Sequence, residues 1–118
     1  MSIRIEDLSG MDFSDLVEAG PAMPPVHPGE ILREEFLVPL GMSAHALSIA
    51  LRIPATRIND IVRGKRGITA DTALRLARYF GTSAEFWLGL QASFDARTAM
   101  AEIGEQVNRE ITPLQHAA

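Results

Sequence analysis

Polar side chains able to read nucleic-acid bases crowd into one short segment near the middle of this 118-residue chain. Between residues 54 and 63, Thr56, Arg57, Asn59, Asp60 and Arg63 are interleaved with Ile58, Ile61 and Val62. If the branched residues face inward on a helix, Ala55, Thr56, Arg57, Asn59, Asp60 and Arg63 project outward. Arg bonds guanine O6 and N7, Asn pairs with adenine, and Thr or Ala touches a thymine methyl. Arg57, near the helix start, is the strongest single base reader. Asp60 either accepts from cytosine N4 or positions Arg57 or Arg63. The basic loop Arg63-Gly64-Lys65-Arg66-Gly67 follows, with glycines that let a backbone approach closely. Lys65 and Arg66 suit phosphates, and the N–H groups of Ser43, Ala44 and His45, opening another helix, offer a second phosphate site.

These side chains need a scaffold, and the chain reads as helix after helix. Pro28 suits a first helical position; Ile31, Leu32, Phe36 and Leu40 follow at helical spacing, with Pro39 and Gly41 as the stop. Ser43 is expected to cap a second helix with Leu47, Ala50 and Leu51 inside, and Pro54 to open a third that Gly64 closes. Thr69 caps a fourth with Leu74, Ala77 and Phe80 on its stripe. Thr82 and Glu85 match a capping box for a fifth. Residues 95–111 form a sixth helical candidate striped by Ala96, Met100, Ile103, Val107 and Ile111, with Gly104 costing about 1 kcal/mol relative to alanine. No segment shows strand alternation, so the fold class is all-α.

The connection Leu51-Arg52-Ile53-Pro54 is too short for antiparallel helices. The second and third must cross steeply, with Ala46 small enough for close contact and Ile53 plugging the angle. This is the helix-turn-helix arrangement, whose second helix enters the DNA major groove. One such domain reads few base pairs, so a homodimer on two half-sites is expected. Trp87 and Leu90, with Met100, Ile103 and Val107, are the candidate dimer surface, a place in the chain's own core being the equal alternative for Trp87.

Composition narrows the classes. The net charge is −4, yet residues 1–30 set one cation against six carboxylates, whereas residues 52–78 set seven cations against two. Nucleic-acid binding follows local potential rather than overall charge. With no cysteine, thiolate metal sites, disulfides and cysteine nucleophiles are excluded. His27, His45 and His116 lack metal-ligand spacing, His27 reading as a cap or linker residue. Glu34 and Glu35 are adjacent and diverge on a helix, and no phosphate-cradling loop or Ser–His–Asp pattern is visible. No enzyme, metal or cofactor is therefore expected. No signal peptide or membrane span is evident, and a cytoplasmic protein is expected. Four prolines between Pro21 and Pro28 mark a linker. The expected division is an acidic arm and Pro-rich linker (1–25), a five-helix DNA-binding domain (26–94) and a C-terminal helix with tail (95–118).

Several motifs in order carry a family resemblance across residues 26–98: His27-Pro28-Gly29-Glu30-Ile31-Leu32, Glu34-Glu35-Phe36-Leu37, Ile58-Asn59-Asp60-Ile61, Gly64-Lys65-Arg66, Thr69-Ala70-Asp71-Thr72-Ala73-Leu74-Arg75-Leu76 and Thr82-Ser83-Ala84-Glu85-Phe86-Trp87-Leu88. Together they resemble HigA-type antitoxins of the phage-repressor-like (XRE) helix-turn-helix group. The resemblance implies a homodimer that neutralises a HigB-type, RelE-like ribonuclease toxin and represses its own operon at a palindromic operator. It maps the recognition helix onto residues 54–63 and the basic loop onto 64–67. The chain departs from its relatives at Arg52, where many such turns carry glycine, and at Phe94-Asp95-Ala96, where Tyr-Asp-Leu is common. Residues 1–22 lie outside the shared region. Their acids and the apolar Ile5, Leu8, Phe13 and Leu16 suit a basic toxin. A stand-alone regulator without toxin is the competing reading, and the adjacent reading frame discriminates the two.

Overall fold

The computed structural model describes residues 24–115, and among these, five helices follow in succession with no strand. Ile5, Leu8, Phe13 and Leu16 of the arm, and His116, lie outside the described residues. Helix α1 (residues 28–40) is α-helical over Pro28–Ile31, widens to a π-helix over Leu32–Leu37, and closes with Val38–Leu40. Helices α2 (Ala44–Leu51), α3 (Ala55–Val62), α4 (Ala70–Phe80) and α5 (Ala84–Glu110) follow.

Helix starts obey their caps. His27 is the N-cap of α1, with Pro28 in the first turn. Ser43 and Thr69 accept from the N–H groups of Ala46 and Thr72. The expected capping box at Thr82 shifts by one residue: Ser83 caps α5, while the Thr82 hydroxyl accepts from the Trp87 indole at 2.7 Å. A buried indole N–H needs a partner, and Thr82 answers that need first. Ala55, not Pro54, is the first residue of α3; Pro54 sits in the capping position.

Three ends use the same device. At Gly41, Arg52 and Gly64 a left-handed residue lets two N–H groups bond back to carbonyls of the closing turn, as in Met42 to Leu37, Ile53 to Ser48 and Lys65 to Asp60. Arg52 does this with φ 56° and is the one non-glycine residue at positive φ among the described residues. A side chain there costs about 1 kcal/mol.

The core gathers Leu32, Phe36, Leu47, Ile58, Ile61, Leu76 and Trp87, with Phe36 touching the rings of Phe80 and Trp87 at 4.9 and 5.0 Å. Several expected core positions are corrected. Leu40 is exposed while Leu37 is buried, because the π-turn shifts the phase of α1 by a residue. That turn precedes Pro39, whose ring would meet the Glu35 carbonyl in a continuous α-helix; Gly41 rather than Pro39 ends α1. Ala46 and Ala50 face solvent and Ser48 is buried in their stead, its hydroxyl donating to the His45 carbonyl at 2.6 Å. On α4, Thr72, Ala73 and Leu76 face inward and Leu74 outward.

The separate sixth helix does not exist: α5 runs unbroken through Gly104 to Glu110. The division expected at 94/95 falls inside it, where burial fades but the winding does not. Trp87 is wholly buried and Leu90 nearly so, because α5 packs its first turns onto the core. These two residues therefore leave the candidate dimer surface, whereas Met100, Ile103 and Val107 stay exposed.

Gly29 joins α1 to α3. A Cβ there would lie 1.7 Å from the Ile61 carbonyl oxygen. Alanine usually stabilises a helix interior relative to glycine, but Gly29→Ala must push α1 off α3. The expected result is a loss near the upper end of the roughly 1–3 kcal/mol typical of overpacking, read from urea unfolding midpoints.

His27 beside it supplies a second test. Its Nδ1 accepts from the Gly29 N–H at 2.9 Å, and its ring meets Phe94 edge-on at 4.8 Å. Burial lowers its pKa below the ordinary 6.5, outweighing the opposite pull of Asp95. As pH falls below about 6.5, the unfolded chain takes up this proton first, so stability present above that pH is lost toward the lower folded value. Between about pH 7.5 and 5.5 the wild-type midpoint should fall more than that of His27→Asn, whose amide oxygen caps without titrating.

Candidate nucleic-acid interface

Helix α3 has eight residues, too few to persist alone in water. It is held by Ile58 and Ile61, both fully buried, with Val62 half-buried rather than sealed. Its C-terminal end is tied down twice: Arg33 of α1 donates to the Val62 carbonyl at 2.9 Å, and the Lys65 N–H donates to the Asp60 carbonyl at 2.8 Å. Both contacts place positive charge or N–H donors where a helix end presents bare carbonyls.

With that side fixed, the opposite flank is solvent-facing. Thr56, Arg63, Lys65 and Arg66 are exposed, and Ala55, Arg57, Asn59 and Asp60 are partly so. None of the six residues expected on the outer flank, five within α3 and Arg63 at its cap, is sealed in the interior. No ion pair joins Asp60 to Arg57 or Arg63 among the described residues, so its carboxylate is not holding either guanidinium in this state. At the start of α2, Ser43 and His45 are exposed and Ala44 half-buried, with the Ser43 hydroxyl already serving the Ala46 N–H. The first-turn N–H groups before it have no acceptor within the helix.

Two side chains that position this surface escaped the sequence reading. Gln91 of α5 accepts from the Ile68 N–H at 2.7 Å and donates to Asp95 at 2.9 Å. It fastens the far end of the basic loop, and a Cβ on Gly67 would come within 2.9 Å of its amide. Arg75 of α4 donates to the Leu51 carbonyl at 2.8 Å and pairs with Asp71. It caps α2 just before the turn into α3. Arg75 is thus one of the seven cations of residues 52–78 already engaged within the fold. Neither role has a local sequence signal, because each partner lies 23 or 24 residues away.

Two short packed helices joined by a three-residue turn, an outward polar flank on the second and a basic loop behind it define a helix-turn-helix DNA-binding domain. Comparison with known proteins agrees. The family model described as "Helix-turn-helix" matches residues 32–87. Virulence-associated protein I of Dichelobacter nodosus is 59% identical over 92 residues, 78% of this chain and 83% of that protein. The solved structure of Pseudomonas aeruginosa antitoxin HigA with the higBA promoter is 54% identical, with a TM-score of 0.76 over 77% of this chain and 99% of that one. Antitoxin HigA-1 of Vibrio cholerae is 37% identical over 71 residues, 60% of this chain and 67% of that protein. The chain belongs to the HigA-type antitoxins of the helix-turn-helix family, a DNA-binding and non-enzymatic group. No described helix is long and apolar enough to cross a membrane.

Gln91→Ala leaves the buried Ile68 N–H without its acceptor, at a cost of about 1–3 kcal/mol. Because no charge is removed, operator affinity should fall while the slope of affinity against salt stays unchanged. Fluorescence-anisotropy titrations at several salt concentrations check both expectations.

Proposed function

We propose that this chain represses its own operon by sequence-specific binding to double-stranded operator DNA and neutralises a HigB/RelE-like, mRNA-cleaving toxin. The observation that carries the DNA reading is the outward flank of α3 joined to the exposed Lys65 and Arg66. The promoter complex of the Pseudomonas aeruginosa relative supports it. Arg57, Asn59 and Asp60, with Ala55, Thr56 and Arg63, read bases. Lys65, Arg66 and the first turn of α2 at Ser43, Ala44 and His45 hold phosphates.

Arg57→Ala should lower operator affinity by about 1–3 kcal/mol and relax preference at one base position. Lys65→Ala should weaken binding to all sequences alike and reduce the salt slope by about 1. Anisotropy against the DNA upstream of the chain's own reading frame, alongside scrambled duplexes, separates the two. Unchanged affinity in both variants overturns the assigned face. Toxin neutralisation is tested by co-expressing the product of the adjacent reading frame: copurification and loss of its mRNA cleavage support the antitoxin reading, and their absence leaves a stand-alone regulator.

The working unit is a homodimer, since two half-sites about one helical turn apart multiply the affinity of a small domain. The stripe of Met100, Ile103 and Val107 on α5, 69%, 49% and 39% exposed, is the apolar surface suited to a second copy. Ile103→Glu should shift sedimentation toward monomer and weaken operator binding with the DNA-facing residues intact.

A further inference from the structure

An open groove of about 740 Å³ runs between the C-terminal part of α2 and α4. Its apolar lining includes Ala50, Leu74 and Tyr79, of which Leu74 is 63% and Tyr79 44% exposed. Arg52, Arg75 and Arg78 also line it, against the single acidic residue Asp71. Arg75 is engaged with Asp71 and Leu51, whereas Arg52 and Arg78 make no ion pair among the described residues. The groove is thus apolar in the middle and cationic at its edge.

Arg52 adds an independent observation. It occupies a left-handed turn position that glycine fills more cheaply, and backbone strain kept at one residue points to a use for its side chain. Arg52 is among the residues that line the groove.

The complementary chemistry lies within the chain itself. Residues 11–18, Met-Asp-Phe-Ser-Asp-Leu-Val-Glu, carry Asp12, Asp15 and Glu18 around Phe13 and Leu16, and no cation. The eleven Cα steps from Phe13 to Pro24 reach up to about 36 Å when extended, more than either of the two shorter extents of the protein, 29 and 27 Å against 54 Å along the third. Two other surfaces fit this segment poorly. The flank of α3 is cationic but polar, and the distal stripe of α5 is apolar but lies among Glu102, Glu105 and Glu110. We propose that the α2–α4 groove is the docking site of residues 11–18 of the same chain, with Phe13 and Leu16 against Leu74 and Tyr79 and the carboxylates facing Arg52 and Arg78. A basic partner that takes this segment must first draw it out of the groove.

The absence of cysteine permits a clean test. A nitroxide spin label on Ser9→Cys in the full-length, ¹⁵N-labelled chain, diluted into an excess of unlabelled, label-free chain, reports contacts within one molecule. Selective loss of the amide signals of Leu74, Arg78 and Tyr79 is expected, with recovery at high salt and in the combined Arg52→Gly, Arg78→Glu variant. Both changes are at exposed positions, and the glycine relieves the turn, so a thermal melt should show the variant folded. Signal loss spread evenly over the surface, centred on α3 and the basic loop, centred on Met100 to Val107, or unchanged in the arginine variant overturns the proposal.

Discussion

An eight-residue helix has no stability of its own, so α3 exists only where the rest of the molecule holds it. The hold is a clamp at its C-terminal end. Gly29 brings the backbone of α1 against Ile61, Arg33 reaches the Val62 carbonyl, and the Asp60 carbonyl takes the Lys65 N–H. Burial of Ile58 and Ile61 supplies the driving force, at about 1.5–3 kcal/mol for each side chain removed from water. The carbonyl partners supply direction. A rigid presentation of this kind matters because base readout depends on hydrogen bonds whose geometry tolerates little drift.

The same economy extends to the neighbours of α3. His27 caps α1 while its ring touches Phe94 of α5, and Gln91 ties α5 to the residue after the basic loop. Arg75 ties α4 to the end of α2. Two polar contacts and one ring contact each join a helix end or loop to a different element, so the surroundings of α3 are braced by three separate ties. The aromatic cluster around Phe36 and Trp87 is the mass against which these braces work.

Much of this was legible in the sequence because it is local. Caps at His27, Ser43 and Thr69, the short turn at Leu51–Pro54 with Ile53 buried, and the outward flank of α3 follow from spacing alone. The left-handed Arg52 follows from the resemblance, since many such turns carry glycine at that place. What escaped was phase and distance. A π-turn ahead of Pro39 moves every later residue of α1 around the axis, and periodicity counting at 3.6 residues per turn cannot register it. Leu74 was expected inside on hydrophobicity, yet α4 turns the smaller Ala73 and Thr72 to the core. Gln91 and Arg75 act across more than twenty residues, where one sequence holds no record of proximity. For Trp87 the contiguous apolar neighbours suit a partner surface and a core equally; the structure selects the core, with the indole satisfied within the chain by Thr82.

The unbroken α5 carries one more implication. Its first turns are bolted into the aromatic cluster, and about 30 Å of rod extends beyond Leu90 at 1.5 Å per residue. Foundation and handle are therefore one solid piece, with no joint to absorb torque. Whatever grips the distal shaft also sets the aim of the reading head: a tilt of about 10° at the base sweeps the tip through about 5 Å, and tilting the tip re-aims the base in return.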